Sequence, residues 1–447
     1  FNVNRDLGGY LPGDRVGSFG IEHAMESVLR GLRGRAILHR DTGQEDRIEP
    51  RPGRDVQLSI DIQLQARIQA ILQPEWGLTT VQEWHGNPDV PLGTPLYGAA
   101  VVLDVDSGQV LAMVSTPTYP EEDQIDAAVR DINHPLINRP VAAVYAPGST
   151  LKPIIYCLAA RERAIEVGQI FTCNGAFDPR HPHQWRCWGY RPEQGLYHTH
   201  GSIGPAQAIA TSCNIYFYNC GQRLGAQRLI RGLLDWGFGK PTGVELPEEI
   251  SGLLPSLDGP NPPGYELTDS NAVNMGIGQG PIAVPPIQVA AAHAALARGG
   301  YWVSPTLLSS PMPTQSRHNL HLPPAAVEQA LQGIYESANN PVYGTAHHLG
   351  GREPIMNAPG VVVRAKTGTA QAPVQFQDLN DNGRLDAEEP ILRQGSHSWY
   401  VAHVAPTGHD RAQYIICVLV EYGGSGGRVS GPIANQIIHA LKAEGYL

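Results

Sequence analysis

The chain has 447 residues, 42% of them hydrophobic and 17% charged, which is material for a substantial core and a length that accommodates two or three domains. Its net charge of −10 speaks against a nucleic-acid partner, which needs a basic face, and no apolar run approaches the ~18 residues of a membrane span. Fifty glycines and 38 prolines indicate a folded, loop-rich protein, and six cysteines are too few for a disulfide scaffold and fit either redox compartment.

Taken in chain order, residues 1–53 form a first unit rich in Gly, Arg and Asp, with an amphipathic helix expected over 20–34, where Ile21, Ala24, Met25, Val28 and Leu32 keep helical spacing. The chain opens at Phe1, without methionine, an opening expected if a signal or anchor has been removed. "EPRPGRD" (49–55) reads as a linker, and 54–447 as a second, larger unit. That unit begins with a strand, "VQLSID", and a helix over 62–72, followed by a hairpin over 97–117 turning at Asp106-Ser107-Gly108. Helical patterns fill most of 146–300. Strand patterns return at 360–370, 397–406 and 412–422, and a helix is expected over 434–445. A first hairpin, late strands and a closing helix around a helical insertion imply an α+β fold, an antiparallel sheet flanked by helices.

"YAPGSTLKP" (145–153) places Ser149 and Lys152 one helical turn apart. Pro153 is tolerated only in a helix's first turn, so the helix starts near Gly148 and Ser149 sits where free N–H groups favour developing negative charge. A lysine with a lowered pKa can take the serine proton. Alone, this pattern equally describes a capped helix with a solvated lysine. It is not alone: Ser212-Cys213-Asn214 and Lys366-Thr367-Gly368-Thr369 follow. The three elements SxxK, SxN and KTG form the set used by serine acyl-enzymes acting on penicillin and D-Ala-D-Ala peptides. Lys366 and Thr367 offer a cation and a hydroxyl to a substrate carboxylate, and Gly368 leaves room for substrate backbone at a strand edge. Ser212 can relay a proton and Asn214 can bind a substrate carbonyl. The Ser149 and Thr369 N–H groups are the expected oxyanion donors.

Through these motifs, and through "GYLPGDRVGSFGIEHAMESVLRGLRG", "AAVVLDVDSGQVLAMVSTPTYP" and "GIGQGPIAVPPIQVAAAHAALARGG", the chain resembles a class B penicillin-binding protein over nearly its whole length. The resemblance implies a penicillin-binding transpeptidase fold with 1–53 as the remnant of an N-terminal pedestal. It also implies a peptidoglycan D,D-transpeptidase that Ser149 would serve as nucleophile and that β-lactams would acylate. It further implies an extracytoplasmic, periplasmic location behind one N-terminal anchor absent from this chain, and a SEDS-family glycan polymerase of the elongation complex as partner. The stretch between the first two motifs resembles the elongation-type penicillin-binding protein 2. A division-type enzyme, a serine β-lactamase and a β-lactam sensor are the alternatives, although no water-activating glutamate can be placed for a β-lactamase.

In that elongation-type stretch some members of the family hold a zinc ion with Asp, Asp, His and Cys. The corresponding positions here are Cys173, Cys187, His200 and Cys213, a Cys₃His set suited to tetrahedral zinc. His181, His183 and His198 are substitute ligands; a Cys173–Cys187 disulfide and separate buried thiols remain open. Independently of any resemblance, "DLNDNGRLDAEE" fits a calcium-loop pattern, with Asp378, Asn380, Asn382, the Arg384 carbonyl, Asp386 and Glu389 in the ligand positions and Gly383 at the turn. Pro390 blocks an exit helix, and the alternative is a solvated acidic turn. No cofactor is expected for the chemistry itself.

Overall fold

Five runs rich in β-branched residues pair into one antiparallel sheet. They are β1 (Gly98–Asp104), β2 (Val110–Thr116), β3 (Val361–Gln371), β4 (Ser396–Pro406) and β5 (Tyr414–Val420), in the spatial order β3-β4-β5-β1-β2. The first hairpin thus joins the late strands across the β5–β1 ladder, and β3, which carries the KTG motif, lies at an edge. The computed structural model describes residues 10, 12–86, 89–118, 124–310, 315–348, 353–380, 382 and 384–447.

Strand side chains alternate between two cores. Val101, Leu103, Trp399, Val401, Ile415 and Leu419 face one, with the mid-chain helices α2 (Lys152–Arg161), α3 (Asn214–Asp235) and α4 (Pro286–Ala297). Ala100, Val102, Tyr400, Ala402, Ile416 and Val418 face the other, shared with α1 (Ile62–Ile71) and α6 (Gly431–Ala443). Every residue of α4 is buried, including Gln288 and His293, which find polar partners, as suits a helix apolar on most of its surface. Asp61 caps α1, its Oδ1 accepting from the N–H groups of Gln63 (2.9 Å) and Leu64 (3.1 Å). A further helix, α5 (Pro324–Asn339), packs beside β3 and α2.

The α+β reading holds, and two local expectations do not. The helix expected over 20–34 is two short pieces, Gly20–Ala24 and Glu26–Leu29, neither with a buried residue. Only Ile21 of the expected stripe packs against a core; the rest of the stripe has no partner face to sustain a longer helix. "VQLSID" forms no strand: one isolated bridge, Leu58 with Leu308, stands in its place. Among the described residues no helix is long and apolar enough to cross a membrane.

Candidate active site

The Pro-Gly turn before Ser149 is held from behind. Gly148 has φ +55° and donates its N–H to the Gly278 carbonyl at 2.9 Å; a Cβ on Gly278 would lie 2.1 Å from the Gly148 carbonyl oxygen. The "GIGQG" turn is therefore glycine because two backbones touch there. Residues Gly148–Leu151 make a tight 3-10 turn that runs directly into α2, with Pro153 in its first turn. Ser149 is half-buried at its head, as expected, and Trp399 Nε1 ties the preceding Ala146 carbonyl at 3.1 Å.

Lys152 is fully buried and reaches the second motif. Its Nζ lies 2.7 Å from the Ser212 carbonyl, 2.8 Å from Asn214 Oδ1 and 3.1 Å from Ser212 Oγ. Burial lowers its pKa from 10.5 to about 8, against the opposing pull of Cys187 and Cys213. A neutral amine has two protons and one lone pair. The carbonyl and the amide oxygen can only accept, so they take the protons, and the lone pair is left for a hydroxyl. Ser212 Oγ is also 3.1 Å from Lys366 Nζ, which bonds the Thr367 carbonyl at 2.9 Å. Burial, and then the Lys152 charge, push Lys366 well below an ordinary lysine. Ser212 adopts φ +54°, a left-handed conformation costing a non-glycine residue about 1–2 kcal/mol, and strain of this kind gathers at working sites.

Gly368 stands against the nucleophile turn. An added Cβ would meet Thr150 Cγ2 and Trp399 Cβ, each at 2.9 Å. The glycine is demanded by this packing as well as by any ligand, a reason not visible in the motif. Thr367 is buried, its Oγ1 3.3 Å from Thr345 Oγ1, while Thr369 is exposed on the β3 edge.

Behind the second motif, Cys173 Sγ, Cys187 Sγ, Cys213 Sγ and one nitrogen of His200 all lie within 4.8 Å of one another. Cys213 turns away from the cleft while its neighbours Ser212 and Asn214 meet Lys152. All six cysteines are free, so Cys173 and Cys187 are not joined. Tetrahedral zinc with ~2.3 Å Zn–S bonds requires sulfurs ~3.8 Å apart; Cys187 and Cys213 are 4.0 Å apart, and Cys187 is 3.4 Å from His200 Nδ1. The donor set therefore fits the ion in type, number and spacing. Bonds from Cys173 and Cys213 hold the Cys187 thiol far below its usual range. Burial works against the His200 cation, yet contacts with Cys173 and Cys187 raise its pKa to about 9. The substitute histidines stand outside: His181 pairs with Asp178 and His183 lies near Glu193, while His198 sits edge-on to His200 and tilted against Trp188.

The acidic loop joins β3 to β4, as expected, between the short paired strands Gln375–Phe376 and Ile391–Arg393, with no helix on either side. Asp378 Oδ1 accepts from Asn380 N and Asn382 N, at 3.3 and 3.2 Å. The two asparagine amides donate to Asp386 Oδ2 at 2.9 and 2.8 Å. Glu389 is buried and accepts from Leu379 N and Asp386 N, both at 2.9 Å. Arg384 N donates to Asn382 Oδ1; Gly383 lies outside the described residues. Among those residues the one group of three or more His, Cys, Asp or Glu ligand atoms this close together is the cysteine cluster, so Asp378, Asp386 and Glu389 are less converged.

One pair went unseen in the sequence. His293 on α4 and His403 on β4 are buried, with His293 Nδ1 2.8 Å from His403 Nε2 and His293 Nε2 2.9 Å from the Thr150 carbonyl. The carbonyl can only accept, so His293 holds its proton on Nε2 and accepts from His403. That leaves His403 Nδ1 a buried lone pair without a partner among the described residues. Burial keeps both rings neutral, His293 with a pKa of about 4.

A serine at a helix head, two buried lysines sharing one hydroxyl and an open sheet edge beside them define the class of serine penicillin-interacting folds. Residues 98–439 match the penicillin binding protein transpeptidase domain, and the chain belongs to that family. It is 28% identical over 454 residues to peptidoglycan D,D-transpeptidase MrdA of Haemophilus influenzae, covering 96% of this chain and 63% of that protein. Among solved structures it resembles Pseudomonas aeruginosa PBP2 in complex with WCK 5153, with a TM-score of 0.75 and 26% identity over 98% of this chain and 84% of that one. It also resembles PBP2 in its complex with MreC from Helicobacter pylori, with a TM-score of 0.74 and 25% identity over 97% and 73%. A chain of a peptidoglycan synthase complex that coordinates polymerization and crosslinking matches with a TM-score of 0.71 and 25% identity over 98% and 72%.

Proposed function

We propose that this chain is the catalytic part of an elongation-type peptidoglycan D,D-transpeptidase, with Ser149 as nucleophile. The observation that carries the reading is the convergence of all three motifs on Ser212 Oγ, 3.1 Å from both Lys152 and Lys366. Neutral Lys152 takes the Ser149 proton as Oγ attacks the penultimate D-Ala carbonyl; the N–H groups of Ser149 and Thr369 hold the oxyanion. The C–N bond breaks, the proton passes to the leaving D-Ala amine through Lys152 and Ser212, and an ester remains on Ser149. An amine of a second stem peptide then attacks the ester and restores the hydroxyl. Lys366 and Thr367 bind the terminal carboxylate, and the Asn214 amide a substrate carbonyl.

Intact mass after benzylpenicillin, with peptide mapping, tests this. The expected result is one adduct on Ser149 persisting for many minutes. Rapid hydrolysis of that adduct would instead indicate a β-lactamase.

The PBP2 and MrdA relatives support the elongation role, and the peptidoglycan synthase complex supports a partner polymerase of the SEDS type; an extracytoplasmic site of action, and residues 1–53 as the remnant of a pedestal preceding a 54–447 catalytic domain, belong to the same proposal. Cys173, Cys187, His200 and Cys213 would hold zinc, which would pin the 171–200 segment behind Ser212 and Asn214 and leave the chemistry to them. Metal analysis of untagged protein should find one zinc per chain. The 378–389 loop would bind calcium weakly, supported by its ligand order and by the buried Glu389 that closes it. Calorimetry with millimolar calcium should give binding heat that Asp378→Ala removes.

A further inference from the structure

The nucleophile turn runs out of backbone donors one residue after Ser149. Bonds in a 3-10 turn link residues three apart, and the Lys152 N–H donates to the Ser149 carbonyl in that pattern. The next bond of the series would join residue 153 to the Thr150 carbonyl, and Pro153 has no N–H to give. A side chain supplies one instead. His293 Nε2, 143 positions along the chain on α4, lies 2.9 Å from that carbonyl.

Thr150 is held on three sides. It is fully buried, and its hydroxyl donates to the Pro147 carbonyl at 2.7 Å. Its methyl lies where an added Cβ on Gly368 would come within 2.9 Å, and its carbonyl takes the His293 proton. The peptide after Thr150 stands between the nucleophile and the helix that starts at Lys152. Its orientation therefore sets how Ser149 and Lys152 face each other.

Behind His293, His403 Nε2 donates to His293 Nδ1 at 2.8 Å. His403 is on β4, opposite Arg364 of β3 and Ile415 of β5, so the chain of bonds is anchored inside the sheet. Filling the Nδ1 lone pair fixes the tautomer whose Nε2–H faces Thr150. Both rings are 0% exposed, and His403 Nδ1 lacks a partner among the described residues. Two apolar side chains would fill this space without burying an unsatisfied nitrogen. Among the described residues, the one bond these rings make beyond each other goes to the nucleophile turn.

We propose that His293, oriented by His403, is a positioning residue for acylation: it holds the peptide after Thr150 so that the Ser149 hydroxyl stays aligned with Lys152. The proposal rests on the transpeptidase reading above. Fully buried rings touch no ligand, so the effect belongs to the chemical step and not to binding.

The test is stopped-flow acylation by benzylpenicillin at 25 °C, which separates the noncovalent dissociation constant from the acylation rate constant. His293→Leu fills the space but cannot donate. It should lower the rate constant by ~10-fold or more and leave the dissociation constant as in the wild type. His293→Gln can accept from His403 and donate to Thr150, and should restore most of the rate. Ile438→Ala, which weakens the opposite core, controls for lost stability and should acylate at the wild-type rate. A wild-type rate in His293→Leu, a failure of His293→Gln to recover, or an equal loss in Ile438→Ala overturns the inference while the transpeptidase reading stands. Should His293→Leu not fold, His403→Phe replaces it: a slowed rate constant with unchanged binding supports the inference, and a wild-type rate overturns it. Absence of any Ser149 adduct in the wild type overturns both readings.

Discussion

Lys152 carries the opposing demands of the site in one side chain. Its ammonium is fully buried, yet its three neighbours are oxygens that would serve a charged lysine well. Burial prevails, and the pKa falls from 10.5 to about 8. Below pH 8 the folded protein therefore bears the full cost of a buried ammonium. Between about 8 and the unfolded value near 10.5 that cost fades, so this group's contribution to stability improves as pH rises. Activity should move the same way: the acylation rate by benzylpenicillin should climb through an apparent pKa of about 8. Lys152→Arg, which keeps its proton, should lose that limb and slow acylation by ~10² or more. His293 offers a second prediction. Removing it in His293→Ala strands the buried Thr150 carbonyl, at a cost of about 1–3 kcal/mol measurable by urea unfolding. His293→Gln, able to donate to the same oxygen, should recover much of it. The motif residues were legible because each works at short spacing, one helical turn or one alternate residue. The His293–His403 contact was not, since its members lie 110 residues apart on elements whose meeting depends on the whole sheet.

At the level of elements, the site is three backbones pressed together: the nucleophile turn, the "GIGQG" turn and β3. Gly278 and Gly368 mark the contacts, with added Cβ atoms meeting neighbours at 2.1 and 2.9 Å. Gly368→Ala must lift β3 from the turn, and small misplacements of reacting groups cost ~10² in rate. Benzylpenicillin acylation should fall by about that factor while far-UV circular dichroism stays native. The strands and the long helices followed from periodicity because each buries a continuous face. The 20–34 helix shows the limit of that reasoning, since a stripe at helical spacing holds a long helix only where another element covers it, and here just Ile21 is covered. The calcium pattern likewise gave the loop's position, but neither its internal bonds nor the degree to which its carboxylates converge.

The five-stranded sheet divides two cores, and Ser149, Lys152, Ser212, Asn214 and Lys366 belong to one side, while Thr367 pairs with Tyr400 and faces the other. Trp399 and Val401 face the core containing α2 and the cysteine cluster, whereas Tyr400 and Ala402 face α6. A cavity cut into the rear core should therefore lower stability without touching the chemistry. Ile438→Ala, at a fully buried α6 position, should cost about 2–5 kcal/mol in urea unfolding and leave the acylation rate at 25 °C as in the wild type. A cavity in the front core, beside α2, should alter both.

The edge position of β3 has a consequence for drug escape. A ligand that lies along this strand as an added neighbour is recognised through main-chain N–H and C=O groups, and these are the same whatever residue the gene encodes. Short of proline, which removes an N–H, substitution cannot delete them; it can only move the strand, and Gly368 leaves little room for that. Escape by substitution therefore acts through side chains, and in the proposed mechanism Lys366, Thr367 and Asn214 are the ones that also hold the substrate.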